Sequence, residues 1–175
     1  NKWAPADSDK ELELIDSLFR RYESKDSPDV IGPDRIERLC TDLRVEITDV
    51  KLLMLAWKMQ AAKQGYFTLE EWRRGLQSLK VDTINKLKNS VSSLEQEVMG
   101  PEIFPAFYTY SFKYCLTEER QKFLDMETVC ELLKLVLGNR NPAQVESLVK
   151  FLKNQKECKA IILDQWQCFL RFFDE

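Results

Sequence analysis

Apolar residues recur at intervals of three and four along most of the chain, which is the spacing of an amphipathic helix. Leu12, Ile15 and Phe19 form one such stripe. Only five glycines and six prolines interrupt the 175 residues. No segment shows the sustained apolar–polar alternation of a half-buried strand. We therefore predict an all-α protein, with only short extended pairs between its helices.

The predicted helices form two groups separated by Gly100 and Pro101. We expect a first half at residues 9–99, a second half at 100–175 and an N-terminal extension at 1–8. The first half should hold short helices near 34–42 and 48–62, the latter capped by Thr48. Thr68 and Glu71 match a capping box, the reciprocal Ser/Thr–Glu bonding pattern that opens a helix. In the second half we expect helices at 104–115, 125–137, 142–154 and 163–173.

Composition excludes several functions. Net charge is -3 with both signs mixed, so no basic surface for nucleic acid is expected. Apolar runs such as 52–57 are too short to cross a membrane, and residues 1–9 lack the pattern of a secretory signal. Five cysteines without a C-x-x-C pair argue against disulfides and thiolate metal sites. We expect a reducing compartment, nucleus and cytoplasm.

Histidine is absent from the sequence. No Ser-His-Asp or Cys-His pair can form, and no imidazole can bind a metal. Neither of the glycine-rich loops that cradle phosphate occurs. These absences favour a binding protein without catalytic residues, cofactor or metal. The alternative is a cysteine-dependent enzyme, with a nucleophile activated by Lys or by a helix N-terminus.

Two segments have the outline of an EF-hand, the helix–loop–helix unit that binds calcium. Around Gly65, Phe67 occupies loop position eight and Glu71 position twelve. Positions one, three and five are Gln60, Ala62 and Gln64, where calcium needs carboxylates. In the first segment, with Ile31 at position eight, position twelve is Arg35. We predict two EF-hand-like halves without calcium ligands.

The third predicted helix has two apolar stripes about 200° apart. One stripe contains Val50, Leu53, Met54 and Trp57, and the other contains Leu52, Leu55, Ala56 and Met59. An ordinary surface helix buries a single stripe. This helix is therefore either buried all round or offers its second face to a partner. Met59 and the aromatic residues Phe67, Tyr110 and Tyr114 fit both alternatives.

Several runs resemble the defective-in-cullin-neddylation family, over nearly all of the chain from about Leu12. They are IGPDRIERLCTDL, LLMLAWKMQAAKQGYFTLEEWRRGLQSL and DTINKL, then FYTYSFKYC, FLDMETVCELLKLVL and LDQWQCFLRFF. The resemblance implies a potentiating-neddylation domain at residues 9–175. It also implies a non-catalytic co-ligase, which helps a conjugating enzyme pass a ubiquitin-like modifier to a cullin lysine.

The resemblance further implies an apolar pocket for the acetylated N-terminal methionine of the conjugating enzyme. Its positions are Pro33, Ile36, Leu52, Leu55, Ala56, Met59, Gln64, Gly65, Phe67, Tyr114, Leu132 and Leu135. Pro33, Met59 and Leu132 depart from the side chains common in the family. Acetylation removes the charge of the terminal amine, so an apolar pocket would favour the acetylated form.

A second implied site binds the cullin C-terminal domain through an acidic patch, of which Asp164 is the first member. Asp164 is also a candidate N-cap for the last helix. The rest of the family patch lies in a tail beyond this helix, which this sequence does not contain. The alternative function is a calcium-independent, EF-hand-like adaptor that binds another amphipathic or extended peptide in the same groove.

Overall fold

The structure is a computed structural model that describes residues 4–175, with side chains from residue 8 onward. Residues 1–3 of the predicted N-terminal extension, 1–8, lie outside this range. The described residues form helices and a few very short strands, which confirms the all-α prediction. The chain divides into two compact units, Asn1–Met99 and Gly100–Glu175.

The first unit contains five helices and two strands in the described residues. They are α1 (Ala4–Tyr22), β1 (Val30–Ile31), α2 (Pro33–Leu43), α3 (Val50–Met59), β2 (Phe67–Thr68), α4 (Leu69–Leu79) and α5 (Ile84–Val98). The strands β1 and β2 pair antiparallel, with Ile31 opposite Phe67. This pairing ties the loop between α1 and α2 to the loop between α3 and α4.

The core of the first unit is centred on Trp72 of α4. Its indole nitrogen donates a hydrogen bond of 3.0 Å to the carbonyl of Ile15 on α1. Phe19 meets the Trp72 ring edge-on at 6.1 Å. Both aromatic side chains are fully buried. The stripe predicted on the first helix therefore packs α1 against α4, and the indole N–H is satisfied, as a buried donor requires.

The helix ends of this unit follow local hydrogen bonding. Asp49, and not the predicted Thr48, caps α3, and its carboxylate accepts from the Lys51 amide at 2.8 Å. The predicted capping box of Thr68 and Glu71 is confirmed. Three helices end in a left-handed residue other than glycine, with φ of 57°, 54° and 58° at Arg44, Gln60 and Lys80.

The second unit repeats this arrangement with four helices and two strands. They are α6 (Phe104–Tyr114), β3 (Phe123–Asp125), α7 (Met126–Leu137), α8 (Pro142–Asn154), β4 (Ala160–Ile162) and α9 (Leu163–Asp174). The strands β3 and β4 pair antiparallel. Tyr108 and Trp166 stack at 4.4 Å and join α6 to α9. The Trp166 indole donates to the Tyr108 carbonyl at 2.9 Å.

The described residues show neither a membrane-spanning helix nor a metal-binding cluster. No helix there combines the length and apolar content needed to span a bilayer. Over the same residues, no cluster of three or more acidic, Cys or His side chains could hold a metal ion. All five cysteines carry free thiols.

Candidate functional site

Both apolar stripes of α3 are largely covered. In the second stripe, Leu55, Ala56 and Met59 are at most 1% exposed, whereas Leu52 is half-buried. The first stripe is buried except for the half-buried Trp57. The structure therefore matches the alternative in which α3 is covered on both faces, and Leu52 is the accessible member of the second stripe.

Met59 is held at the end of α3 by the neighbouring helix α4. Gly75 lies so close that an added Cβ would stand 2.4 Å from the Met59 Cγ and 3.3 Å from its Cα. Arg74 donates a hydrogen bond of 3.0 Å to the Met59 carbonyl. The missing side chain of Gly75 is therefore what allows α3 and α4 to approach at this point.

The predicted pocket residues of the first unit fall into a buried and an accessible group. Pro33 and Gln64 are exposed, and Gly65 and Leu52 are half-buried. The buried members are Ile36, Leu55, Ala56, Met59 and Phe67.

Pro33 and Gly65 are close neighbours, although 31 positions separate them in the sequence. A Cβ added at Gly65 would lie 3.5 Å from the Pro33 ring. Gly65 has φ of 84°, a conformation that side chains disfavour. The structure therefore brings the loop before β2 against the start of α2.

Glu71 closes this loop in a way that sequence reasoning found only in part. One carboxylate oxygen accepts from the Thr68 amide at 2.9 Å, as the capping box predicts. The other accepts from the Ala62 amide at 2.8 Å. Ala62 stands where an EF-hand would offer a calcium ligand. The Glu71 carboxylate thus binds backbone N–H groups of its own loop, and the loop closes without a metal.

Three predicted pocket positions lie in the second unit. Tyr114, at the end of α6, is 8% exposed, and Leu132 of α7 is 5% exposed. Leu135 is half-buried. The Tyr114 ring stacks on Tyr110 at 5.4 Å. The role of these three residues in binding a conjugating enzyme stays a prediction.

Asp164 is exposed in the first turn of α9. It is not the N-cap, which is Ile162, whose amide donates to the side chain of Gln165 at 3.0 Å. A carboxylate in a first turn is nevertheless stabilised by the helix dipole. Asp164 also borders an apolar cavity of about 590 Å³, lined by Phe112, Leu116 and others. An accessible negative charge therefore stands beside an apolar surface in the second unit.

Known proteins resemble this chain over most of its length. A family described as "Cullin binding" matches residues 86–175. DCN1-like protein 4 is 38% identical over 151 residues in both Danio rerio and Homo sapiens, which is 86% of this chain. The match covers 53% of the Danio and 51% of the human protein.

DCN1-like protein 3 of Rattus norvegicus is 35% identical over 163 residues, 92% of this chain and 53% of that protein. The chain thus spans about half the length of these curated relatives. The family match covers just over half of the 175 residues and includes α6 to α9 completely. The chain therefore belongs to the cullin-binding family, together with the DCN1-like proteins.

Proposed function

We propose that this protein is a scaffold-type co-ligase that promotes the neddylation of cullins in the nucleus and cytoplasm. The observation that supports the proposal most strongly is membership of the cullin-binding family, with Asp164 presented as an exposed carboxylate within the matched region. One surface would bind the cullin C-terminal domain, and a second would bind the acetylated N-terminus of the conjugating enzyme.

The conjugating-enzyme site is proposed at the predicted pocket residues of the first unit. Leu52, Pro33 and Gly65 are accessible, whereas Leu55 and Met59 are buried. An entering methionine would displace part of this buried group. Met59 suits that role because its unbranched thioether side chain adopts new conformations at low cost. Tyr114, Leu132 and Leu135 are proposed as further contacts on the second unit.

The acetyl group gives the proposed pocket its selectivity. An acetylated terminus carries no charge. An ammonium group entering the same apolar surroundings would lose its hydration. Unless a carboxylate paired with it, the loss would cost on the order of several kcal/mol. Since about 1.4 kcal/mol corresponds to a tenfold change in affinity, the acetylated peptide should bind at least about tenfold more tightly.

Calorimetric titration with the N-terminal peptide of a neddylation conjugating enzyme, acetylated or with a free amine, tests this pocket. Leu52→Arg should abolish binding of the acetylated peptide, because it places a charge among the accessible pocket residues. Ile47→Arg is the matched control, since Ile47 is 53% exposed and outside the predicted set. Equal affinities for the two peptides, or equal effects of the two variants, would refute the pocket.

The cullin site is proposed at Asp164. Its carboxylate would pair with basic residues on the cullin C-terminal domain. Asp164→Lys should weaken capture of that domain in a pulldown, and Asp164→Asn should weaken it less, because it removes a charge without adding the opposite one. Glu102→Lys, at another exposed carboxylate of the second unit, is the matched control. If the Asp164→Lys variant captured as much of the cullin C-terminal domain as the unaltered protein does, the proposed contact at Asp164 would be excluded.

The proposed mechanism is proximity without catalysis by this chain. Holding the charged conjugating enzyme and the acceptor domain together raises the effective concentration of the lysine at the thioester. The chain has no histidine. A folded variant with all five cysteines replaced should therefore keep full activity in a reconstituted cullin modification assay. If the protein bound unrelated helical peptides and no cullin, the adaptor function would be favoured instead.

A further inference from the structure

A second cavity of the second unit lies where α7 begins, α8 ends and the following loop returns to β4. Its volume is about 630 Å³, within the usual range of ligand-binding pockets. The floor includes Met126 and Leu152, which are half-buried and buried. Lys153, Lys156 and Lys159 stand at its edge, with Glu127 as the single carboxylate. We refer to it as the lysine-edged cavity.

The three lysines are exposed. Among the residues that the structure describes, no carboxylate lies within 4.0 Å of their ammonium groups. Elsewhere Lys58 and Lys86 bind carboxylates at 2.7 and 2.9 Å. Among the residues that line the cavity, three lysines and one carboxylate leave an excess of positive charge. Such a surface attracts anionic partners and raises their association rate.

The loop that carries two of these lysines is fixed by the side chain of Gln155. Its amide nitrogen donates to the carbonyls of Leu152 at 3.0 Å and Cys158 at 2.5 Å. Its amide oxygen accepts from the Cys158 backbone N–H at 2.8 Å. These bonds close the turn between Leu152 and Cys158 and hold the backbone that flanks Lys156 and Lys159. A partner would therefore spend little free energy on ordering this backbone.

We propose that the lysine-edged cavity binds an acidic peptide segment of a partner protein, with one large apolar side chain seated on Met126 and Leu152. The lysines would pair with acidic residues on either side of that apolar residue. A bare phosphate group would leave the apolar floor uncovered and would face Glu127. The combination of an apolar floor with a basic edge thus favours a peptide over a simple anion or a nucleic acid strand.

This site is independent of the function proposed above, because it includes neither Asp164 nor any residue of α3. The peptide site at the lysine-edged cavity could therefore be disproved while cullin binding and the acetyl-methionine pocket are confirmed. Equally, those two sites could be disproved while the peptide site is confirmed. Both peptide titration at α3 and cullin capture at Asp164 serve as folding controls for variants of the lysine-edged cavity.

The test is a selection from a phage-displayed library of random peptides on the immobilised protein. Selected peptides are then synthesised and titrated by fluorescence polarisation. The variant with Lys156→Glu and Lys159→Glu should bind them at least about tenfold more weakly, since it reverses two charges at the edge. Lys10→Glu with Lys25→Glu makes the same charge change on exposed residues of the first unit and should leave binding unchanged.

The proposed apolar contact is tested by changing either the protein or the peptide. Met126→Gln, and replacement of the apolar residue in the peptide by serine, should each weaken binding several-fold. Four results would overturn the proposal. They are no enrichment of acidic peptides, equal loss in the two charge variants, indifference to the apolar residue, and displacement of the peptide by inorganic phosphate or an oligonucleotide at equal charge concentration.

Discussion

Glu71→Ala removes the carboxylate that closes the loop between α3 and α4. The side chain is only 8% exposed and accepts from the amides of Ala62 and Thr68 at 2.8 and 2.9 Å. The same loop carries Gln64 and Gly65, two of the predicted pocket residues. The substitution should therefore loosen the loop and also lower the stability of the first unit.

The size of the effect follows from the two hydrogen bonds. A bond to a charged acceptor contributes about 1.5–3 kcal/mol. Ala62 and Thr68 are exposed residues, so water can hydrate their freed N–H groups and the lower end of the range applies. The expected loss is about 3 kcal/mol for Glu71→Ala. Glu71→Gln, which keeps one acceptor oxygen, should lose about half of that.

Urea unfolding followed by tryptophan fluorescence measures this loss, because Trp72 lies in the core beside Glu71. With a denaturant slope of about 2 kcal/mol per molar, the midpoint should fall by roughly 1.5 M. Glu70→Ala, at the exposed neighbouring carboxylate, is the control and should change stability by no more than about 0.5 kcal/mol. Amide exchange at Ala62 and Thr68 should accelerate only in the Glu71 variants.

Two results would refute this reasoning. If Glu71→Ala and Glu70→Ala were equally stable, the carboxylate would not hold the loop. If calcium raised the midpoint of the unaltered protein, Glu71 would be serving as a metal ligand, contrary to its hydrogen bonds in the structure.

Two further predictions concern the packing and electrostatics of the first unit. Gly75→Ala should destabilise the protein by about 1–3 kcal/mol in the same urea assay, because its Cβ would overlap Met59; unchanged stability would mean that α3 and α4 separate freely. The pKa of Asp16 is lowered, chiefly by hydrogen bonds of 2.8 and 2.6 Å from Arg73. The stability that this ionised carboxylate contributes is fully present above the pKa that Asp16 has in the unfolded chain. It is lost as pH falls through the lower pKa that Asp16 has in the folded protein. The advantage of the unaltered protein over Asp16→Asn should therefore begin to shrink as pH falls below about 4 and be lost only below the folded pKa. An advantage that stayed constant from about pH 5 down to about pH 2 would contradict the assignment.

Helix positions were predictable because periodicity and capping act locally. The capping box of Thr68 and Glu71 was identified from two residues three apart. Neighbouring candidates were harder to separate. Thr48 and Asp49 both suit an N-cap, and the backbone selects Asp49. Asp164 was a candidate N-cap of the last helix, but the cap is Ile162, two residues earlier.

The candidate site was less predictable because coverage depends on the whole fold. Periodicity indicated two apolar stripes on α3, but it could not tell which side chains neighbouring helices cover. Only Leu52 of the second stripe keeps appreciable exposure. The close approach of Gly75 to Met59 could not be predicted from the sequence, because nothing near a helical glycine in the sequence indicates which other helix packs against it. The second acceptor role of Glu71, toward Ala62, was hidden for the same reason.

The left-handed residues that end α2, α3 and α4 offer a route to engineering. Arg44, Gln60 and Lys80 each occupy a backbone region that costs a side-chain-bearing residue about 1 kcal/mol relative to glycine. Glycine at these three helix ends would relieve that strain without altering any predicted contact residue. The first unit thus has room for thermostabilisation that would help it tolerate disruptive substitutions in α3.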